Sequence, residues 1–305
     1  MWQNAGMSLF LLALAAAAPF TIAETGQGYP TLAAAVASVR DGTATILIAP
    51  GTYHECVVQA GGRITYKAVQ PGTAIFERTV CEDKAAFVLR GRGAAVDGLV
   101  FRKFRVRDGN GAGIRIEMGD LTVTRSTFLD SQEGILGGGH PTVRSITIDR
   151  SSFAGLGQCD ESPNCSHSVY LSVDGLVTIA HSRFERGTGG HYVKLRARRV
   201  AITGNSFDDS AGRKTNYMID LSEGGTGTIA QNMFVQGSAK ENRLGLIVVA
   251  AEARTYPTDG LRVEDNIAGL APGAPAAPAF VADVSGGRIT VANNRLTGMR
   301  AFEKR

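Results

Sequence analysis

Along most of the chain one short phrase of apolar and polar positions recurs. An apolar–x–apolar pair is followed by a brief turn, a Ser or Asn, and then, two places on, a large apolar residue. The phrase stands in LTVTRSTF (121–128), ITIDRSSF (146–153), VTIAHSRF (177–184), VAITGNSF (200–207), GTIAQNMF (227–234), LRVEDNIA (261–268) and ITVANNRL (289–296), with AAVDGLVF (94–101) as a weaker first copy. Alternation at a period of two predicts short strands with one buried face. Helical spacing is absent after about residue 40. The phrase endings lie on average about 28 residues apart, the period of a solenoid coil built from short strands. A single coil cannot bury its own apolar side, so successive coils must stack. These features predict an all-β, parallel β-helix. Hairpin architectures need turn pairs such as Asn-Gly between strands of hairpin length, and the chain does not place them there.

The Ser/Asn position forms a column of Ser126, Ser151, Ser182, Asn205, Asn232, Asn266 and Asn294. Stacked coils would join these side chains in a hydrogen-bonded ladder, and Asn tolerates the left-handed backbone of a tight turn. A structural role is therefore expected for them. Upstream, YPTLAAAVASVRDGTATILIAPGTYHE reads as a short amphipathic helix, Leu32–Val39, then a Gly-containing turn and a strand. The helix is expected to cap the first coil, whose open edge would otherwise invite aggregation. APGAPAAPAF (271–280) reads as a Pro/Ala loop before one last coil. No linker marks a second domain, so residues 24–305 are expected to form a single β-helix domain.

Composition adds less. The 305 residues are 44% hydrophobic and include 38 Gly, enough for a sizeable core in a turn-rich fold. A net charge of +4 weakly favours an acidic partner. MSLFLLALAAAAPFTIA is an apolar run ending in small residues. It predicts an export signal over residues 1–23, cleaved after Ala23, although no Lys or Arg precedes Arg40. A secreted or periplasmic location follows, and no other segment could span a bilayer. Four cysteines in an exported chain suggest two disulfides, and proximity favours Cys159–Cys165 and Cys56–Cys81. No Cys or His spacing supports a metal cluster.

With ILIAPGTYHE and the coils that follow, roughly residues 28 to 300 resemble the pectin-lyase-like superfamily. That resemblance implies a right-handed parallel β-helix with a short N-terminal capping helix. It implies no single activity, because the superfamily holds polysaccharide lyases, glycoside hydrolases, uronate epimerases and non-catalytic surface proteins. HYVKLRARRVAITGNSF (191–207) is similar to a segment of chondroitinase-B-like and alginate-lyase-like enzymes. In those a lysine is the base and an arginine on the next coil assists as acid, which implies Lys194 as base here. The chain departs from that pattern twice. Acidic calcium ligands precede the lysine in those enzymes, whereas this chain has GTGG (187–190). The next coil, NYMIDLSEGG (216–225), brings Tyr217 and Asp220 in place of an arginine. Ca2+ is thus implied by the resemblance while its expected ligands are missing, and no cofactor is predicted.

Aligning HSVYLS (167–172), HYVKLR (191–196) and YMIDLS (217–222) gives the candidate site without reference to any family. Val169, Val193 and Ile219 fall in one apolar column, and Leu171, Leu195 and Leu221 in the next. Side chains alternate along a strand, so the column between them, Tyr170, Lys194 and Asp220, points outward. Ser172, Arg196 and Ser222 form the following outward column, and His167, His191 and Tyr217 line up at the strand start. GIRIE (113–117) would add Arg115 and Glu117 below. Coils stack about 4.8 Å apart, so these groups converge on one face. The same column read as a solvated sheet would carry surface ion pairs such as Lys194–Asp220, each worth about 0–1 kcal/mol. Arg198 and Arg199 read as general basic surface, and His54, His140 and His181 as isolated turn residues.

The convergent column suits an acidic polysaccharide as partner. β-Elimination at a uronate needs a base for the C5 proton, cations for the aci-carboxylate, and an acid for the leaving oxygen. Lys194, Tyr217 and His191 are the candidate catalytic residues; Arg196, Tyr170, His167, Asp220 and Arg115 are candidate substrate contacts. A lysine base must lose its proton, which Arg196, Arg198 and His191 would favour and Asp220 would oppose. Epimerisation shares the first step. Hydrolysis would use paired carboxylates from among Asp208, Asp209, Asp220 and Glu223. A non-catalytic glycan-binding β-helix is the alternative from a different class. Nucleic acid is not expected, because the basic stretch lacks interleaved aromatics and the chain carries an export signal. A monomer is expected.

Overall fold

The computed structural model describes residues 18–275 and 279–305. They form an all-β, right-handed parallel β-helix with one short helix at its N-terminal end. The coils build a ten-stranded parallel sheet on one side and a twenty-stranded sheet that wraps the others. In two coils the wrapping sheet is carried by single long bent strands, Val169–Ala180 and Val193–Thr203.

Each recurring phrase spans a corner of the coil. Its apolar pair, for example Val177 and Ile179 or Val200 and Ile202, is buried in the core. Its final residue enters the ten-stranded sheet, where Phe101, Phe128, Phe153, Phe184, Phe207 and Phe234 pair in register. Their rings stack at centroid spacings between 4.7 and 5.1 Å, in planes within 8° of one another. The coil spacing therefore equals the ring spacing, and each Phe buries its faces against its two neighbours. At the corner, the backbone N–H of each Ser or Asn donates to the side-chain oxygen of the ladder residue on the next coil, from Ser126 to Asn294, at 2.9 to 3.2 Å. The left-handed backbone lies one residue earlier than the sequence reading put it. Arg125, Arg150, His181, Gln231, Asp265 and Asn293, each just before a ladder residue, have φ between 47° and 57°. The ladder bonds over-determine the corner and hold these residues in a strained region.

The helix Leu32–Val39 starts where the Thr31 hydroxyl accepts from Ala34 N at 3.2 Å, and it buries Leu32, Ala35 and Val36 against the first coils. The apolar run up to residue 17 lies outside the described residues. Residues 18–23, expected to leave with the export signal, belong to the fold. Phe20–Ile22 is a strand paired antiparallel with Thr43–Ile48, and Phe20 is fully buried beside Tyr53 at 5.0 Å. Cleavage after Ala23 would remove this strand. Cys56–Cys81 and Cys159–Cys165 are both disulfides. No helix among the described residues is long and apolar enough to cross a membrane.

Candidate functional site

The site is set by the register of the long strands. Val169, Val193 and Ile219 pair in sequence, as do Leu171, Leu195 and Leu221, and all six are buried. Between these core positions Tyr170, Lys194 and Asp220 pair in the same order. Ser172 pairs with Arg196 one step along. At the strand start the rings of His167, His191 and Tyr217 follow one another at 4.9 and 5.1 Å. The close approach of these coils needs Gly190, which has φ 59°; a Cβ there would meet Ser166 O at 2.1 Å and His167 Nδ1 at 2.6 Å. With that Cβ absent, His191 N donates to His167 Nδ1 at 3.0 Å, which puts the ring proton of neutral His167 on Nε2.

Three placements differ from the sequence reading. First, the outward column is not solvated. Lys194 is only 9% exposed and Asp220 1%; the turn Ala250–Asp259 brings Glu252 onto Lys194 and Arg196, and Asp220 pairs between Lys194 and buried Val248. The backbone of the turn is fastened to the coil by Ala250 N to Leu221 O, Glu252 N to Ser222 O and Tyr256 N to Glu223 O, at 2.8 to 3.0 Å. Second, the Lys194 ammonium reaches Glu252 and not Asp220. Lys194 Nζ donates to Glu252 Oε1 at 2.5 Å, and Arg196 Nη2 to Glu252 Oε2 at 2.6 Å. Arg196 Nε also lies 2.9 Å from Glu223 Oε1, without the alignment of a hydrogen bond. Third, Arg115 stands two coils below Tyr170, with Leu136 filling the position between them. At about 4.8 Å per coil it is roughly 14 Å from Lys194. Glu117 pairs with Lys84 and Arg90 instead.

The half-buried Tyr170 ring lies under both cations, with Lys194 Nζ 5.3 Å and the Arg196 guanidinium carbon 5.2 Å from its centroid. Two cations, one aromatic face and one shared carboxylate thus make a closed set. Behind them are buried titratable groups. Burial lowers the His167 pKa to about 3 and holds His191 well below the usual imidazole range, so both rings are neutral at pH 7. Burial raises Asp220 to about 6, partly offset by the Ser222 hydroxyl donating to Oδ2 at 2.6 Å. His191 Nε2 is 3.6 Å from Asp220 Oδ2. Burial also raises the Tyr217 phenol, whose oxygen accepts from Asn242 Nδ2 at 2.8 Å. Glu133, one coil below His167 and 1% exposed, has a carboxyl pushed well above its ordinary range by burial. His191 Nδ1, Asp220 Oδ1 and Glu133 Oε2 are all buried without a protein partner. Unpartnered buried polar atoms are uncommon, and two of these, on His191 and Asp220, lie on adjacent coils beside Lys194.

Glu252, Glu133 and Asn242 are the members the sequence reading missed. Glu252 stands 56 and 58 residues beyond its two partners, and no spacing within one coil could have indicated it. The carboxylates suited to hydrolysis are dispersed. Asp208 lies in the ten-stranded sheet, and buried Asp209 is held by Lys240, Tyr192 and Thr215. A calcium ion does not fit the residues present. Residues 187–190 bring no carboxylate, and Glu252 and Asp220 are already engaged by Lys194, Arg196 and Ser222. Cys159, Cys165 and Glu241 also lie close together, but both sulfurs are in the disulfide. Hollows of about 580 Å³ beside the capping helix and about 400 Å³ beside the Cys159–Cys165 loop are lined by other residues.

The fold defines the class: a right-handed parallel β-solenoid with a short N-terminal helix. No family model matches the sequence, and no curated protein matches it. Among solved structures, Escherichia coli YbhC is similar, with a TM-score of 0.49 and 14% identity over 77% of this chain and 75% of that one. ORF18 of Geobacillus virus E2 is similar, with a TM-score of 0.43 and 12% identity over 89% of this chain and 57% of that one.

Proposed function

We propose that this protein binds a uronate-containing polysaccharide on the Tyr170–Lys194–Arg196 face and cleaves it by β-elimination. The observation that carries the reading is the shared carboxylate. Lys194 and Arg196 grip one carboxyl group across its two oxygens, over an aromatic ring suited to stack on a sugar. A uronate carboxylate in the same place would put its sugar ring toward Tyr170. Arg196, always charged, holds the carboxylate and stabilises the aci-carboxylate that develops. Lys194, released from Glu252 and having given up one proton to solvent, takes the C5 proton as a neutral amine. The electron pair left at C5 forms the C4–C5 double bond, and the glycosidic oxygen departs from C4 with a proton from Tyr217. A phenol held above its ordinary pKa keeps its proton until that step. Neutral His191 lies behind it, with Nε2 3.6 Å from Asp220 Oδ2.

The experiment is Lys194→Arg assayed on acidic glycans by the absorbance of the unsaturated product. Arginine keeps the charge but cannot act as base. Turnover should fall at least about 100-fold while glycan binding survives. Unchanged turnover in Lys194→Arg would remove the base role.

One observation favours a second reading, a glycan binder without turnover. Lys194 is ion-paired, and Asp220 and His191 are buried. Binding across a panel of acidic glycans, with no unsaturated product from any, would select it.

A further inference from the structure

We infer that Glu252 is an internal competitor for the carboxylate site, and that it lowers affinity for every carboxylate ligand to a level that a polyuronate chain, with further contacts, overcomes and a single acid sugar does not. The inference rests on the carboxylate-binding part of the function proposed above. Glu252 places a carboxylate where an acidic ligand would place its own, with both oxygens on Lys194 and Arg196. Its side chain is the most exposed part of the set, 41% against 11% for Lys194 and 32% for Arg196. Its backbone is fixed. Glu252 N and Ala253 N both donate to Ser222 O, at 2.9 and 3.1 Å, and Ala250 N donates to Leu221 O at 2.8 Å. Opening the site therefore asks for rotation of one side chain and no movement of the turn.

The consequence for selectivity is an exchange argument. A ligand carboxylate that displaces Glu252 trades one pair of ion contacts for another, so the carboxylate adds little net affinity. Apparent affinity also falls by the fraction of molecules that are open, about tenfold if closed outweighs open ten to one. A single uronate has nothing more to offer. A chain has neighbouring sugars, and along the same strand comes Arg198, which lies over the Tyr256 ring at 5.4 Å and pairs with Asp174 at 2.7 Å. Tyr256 belongs to the same turn as Glu252. A chain that lies along the strand gains these contacts and outweighs the internal carboxylate, whereas a monomer does not.

The test is calorimetric titration of wild type, Glu252→Gln and the double variant Glu252→Gln/Arg196→Gln with glucuronate, glucose and an acidic oligosaccharide. Far-ultraviolet circular dichroism first establishes that all three are folded; Glu252 is exposed enough for Gln to fit. Glucuronate should bind Glu252→Gln at least about tenfold more tightly than wild type. Glucose should show no gain, and the double variant should lose it. The acidic oligosaccharide should gain by a similar factor in Glu252→Gln, because both ligands displace the same side chain. Equal or weaker glucuronate binding by Glu252→Gln overturns the inference. The two readings fail separately. Tighter glucuronate binding with no cleavage of any glycan keeps this inference and removes the lyase activity. Cleavage by wild type with no tightening in Glu252→Gln does the reverse.

Discussion

Replacing Asn232 by Ala should cost more than its single side chain suggests, and replacing it by Ser should cost much less. Asn232 is 1% exposed and sits in the middle of the corner ladder. Its Oδ1 accepts from Asn205 N and Asn205 Nδ2, both at 2.9 Å. Its Nδ2 donates to Ile202 O at 2.9 Å and to Asn266 Oδ1 at 3.0 Å. Alanine removes all four bonds. It strands the buried Asn205 N–H, at about 1–3 kcal/mol, and forfeits three bonds worth about 0.5–1 kcal/mol each, because their partners keep other contacts or an empty lone pair. The sum is roughly 2.5–6 kcal/mol. Serine can do what Ser151 does for Ser126, whose N–H it accepts at 3.2 Å. That spares the stranded N–H and leaves a loss of about 1–2 kcal/mol. The assay is urea unfolding with the disulfides intact, extrapolated linearly to water. Two probes must give coincident transitions, since stacked coils can unfold in stages. A cost for Ala below about 1 kcal/mol, or equal costs for Ala and Ser, would refute the ladder as a source of stability.

Two further predictions follow from buried charge and from the first strand. Asp220, raised to about 6 from an ordinary 3.8, binds its proton more tightly when folded, so it adds stability as pH falls from 6 to 4. His167, lowered to about 3, does the opposite and loses stability as pH falls below 6.5. Each acts at about 1.4 kcal/mol per pH unit where it alone titrates. Asp220→Asn should therefore steepen acid destabilisation between pH 6 and 4 by about that slope, and His167→Gln should flatten it. Urea midpoints at pH 6, 5 and 4 decide this; parallel curves for all three proteins would contradict it. For the N-terminus, a chain starting at Glu24 lacks the fully buried Phe20 and its strand, and should melt at least about 5 °C lower than one starting at Ala18. Equal melting temperatures would show that the strand is dispensable.

The fold was legible because a solenoid writes each core position many times. One apolar–x–apolar pair proves little, but eight, seven of them with Ser or Asn in one column and six ending in Phe, leave few alternatives. Legibility failed where the repetition lapsed. The coils holding Tyr53 and Phe76 carry no Ser or Asn at the corner, so the stack begins two coils before the first recognised phrase. The left-handed residue was misplaced by one because its identity varies among Arg, His, Gln, Asp and Asn, and only the geometry is constant. Phe20–Ile22 reads alike as the end of an export signal and as a strand, because an apolar run that pairs with a sheet has the same composition as one that ends at a cleavage site.

The candidate site was legible by register and obscure by burial. Tyr170, Lys194 and Asp220 could be aligned because core residues flank each of them, and a slip of one residue would have turned Val193 and Leu195 to solvent. What pairs with the cations is not coded by the coil. The turn Ala250–Asp259 is an insertion between strands, free of the repeat, and its Glu252 joins the cationic row into an ion-pair cluster. The same cations have different meanings in the two settings. Exposed, Lys194 and Arg196 would attract any anion and be screened by salt. Matched by Glu252 of the Ala250–Asp259 turn, they respond only to a group that can replace a carboxylate and bring contacts of its own. In a solenoid the coils supply a regular surface, and the insertions between strands decide what that surface can bind.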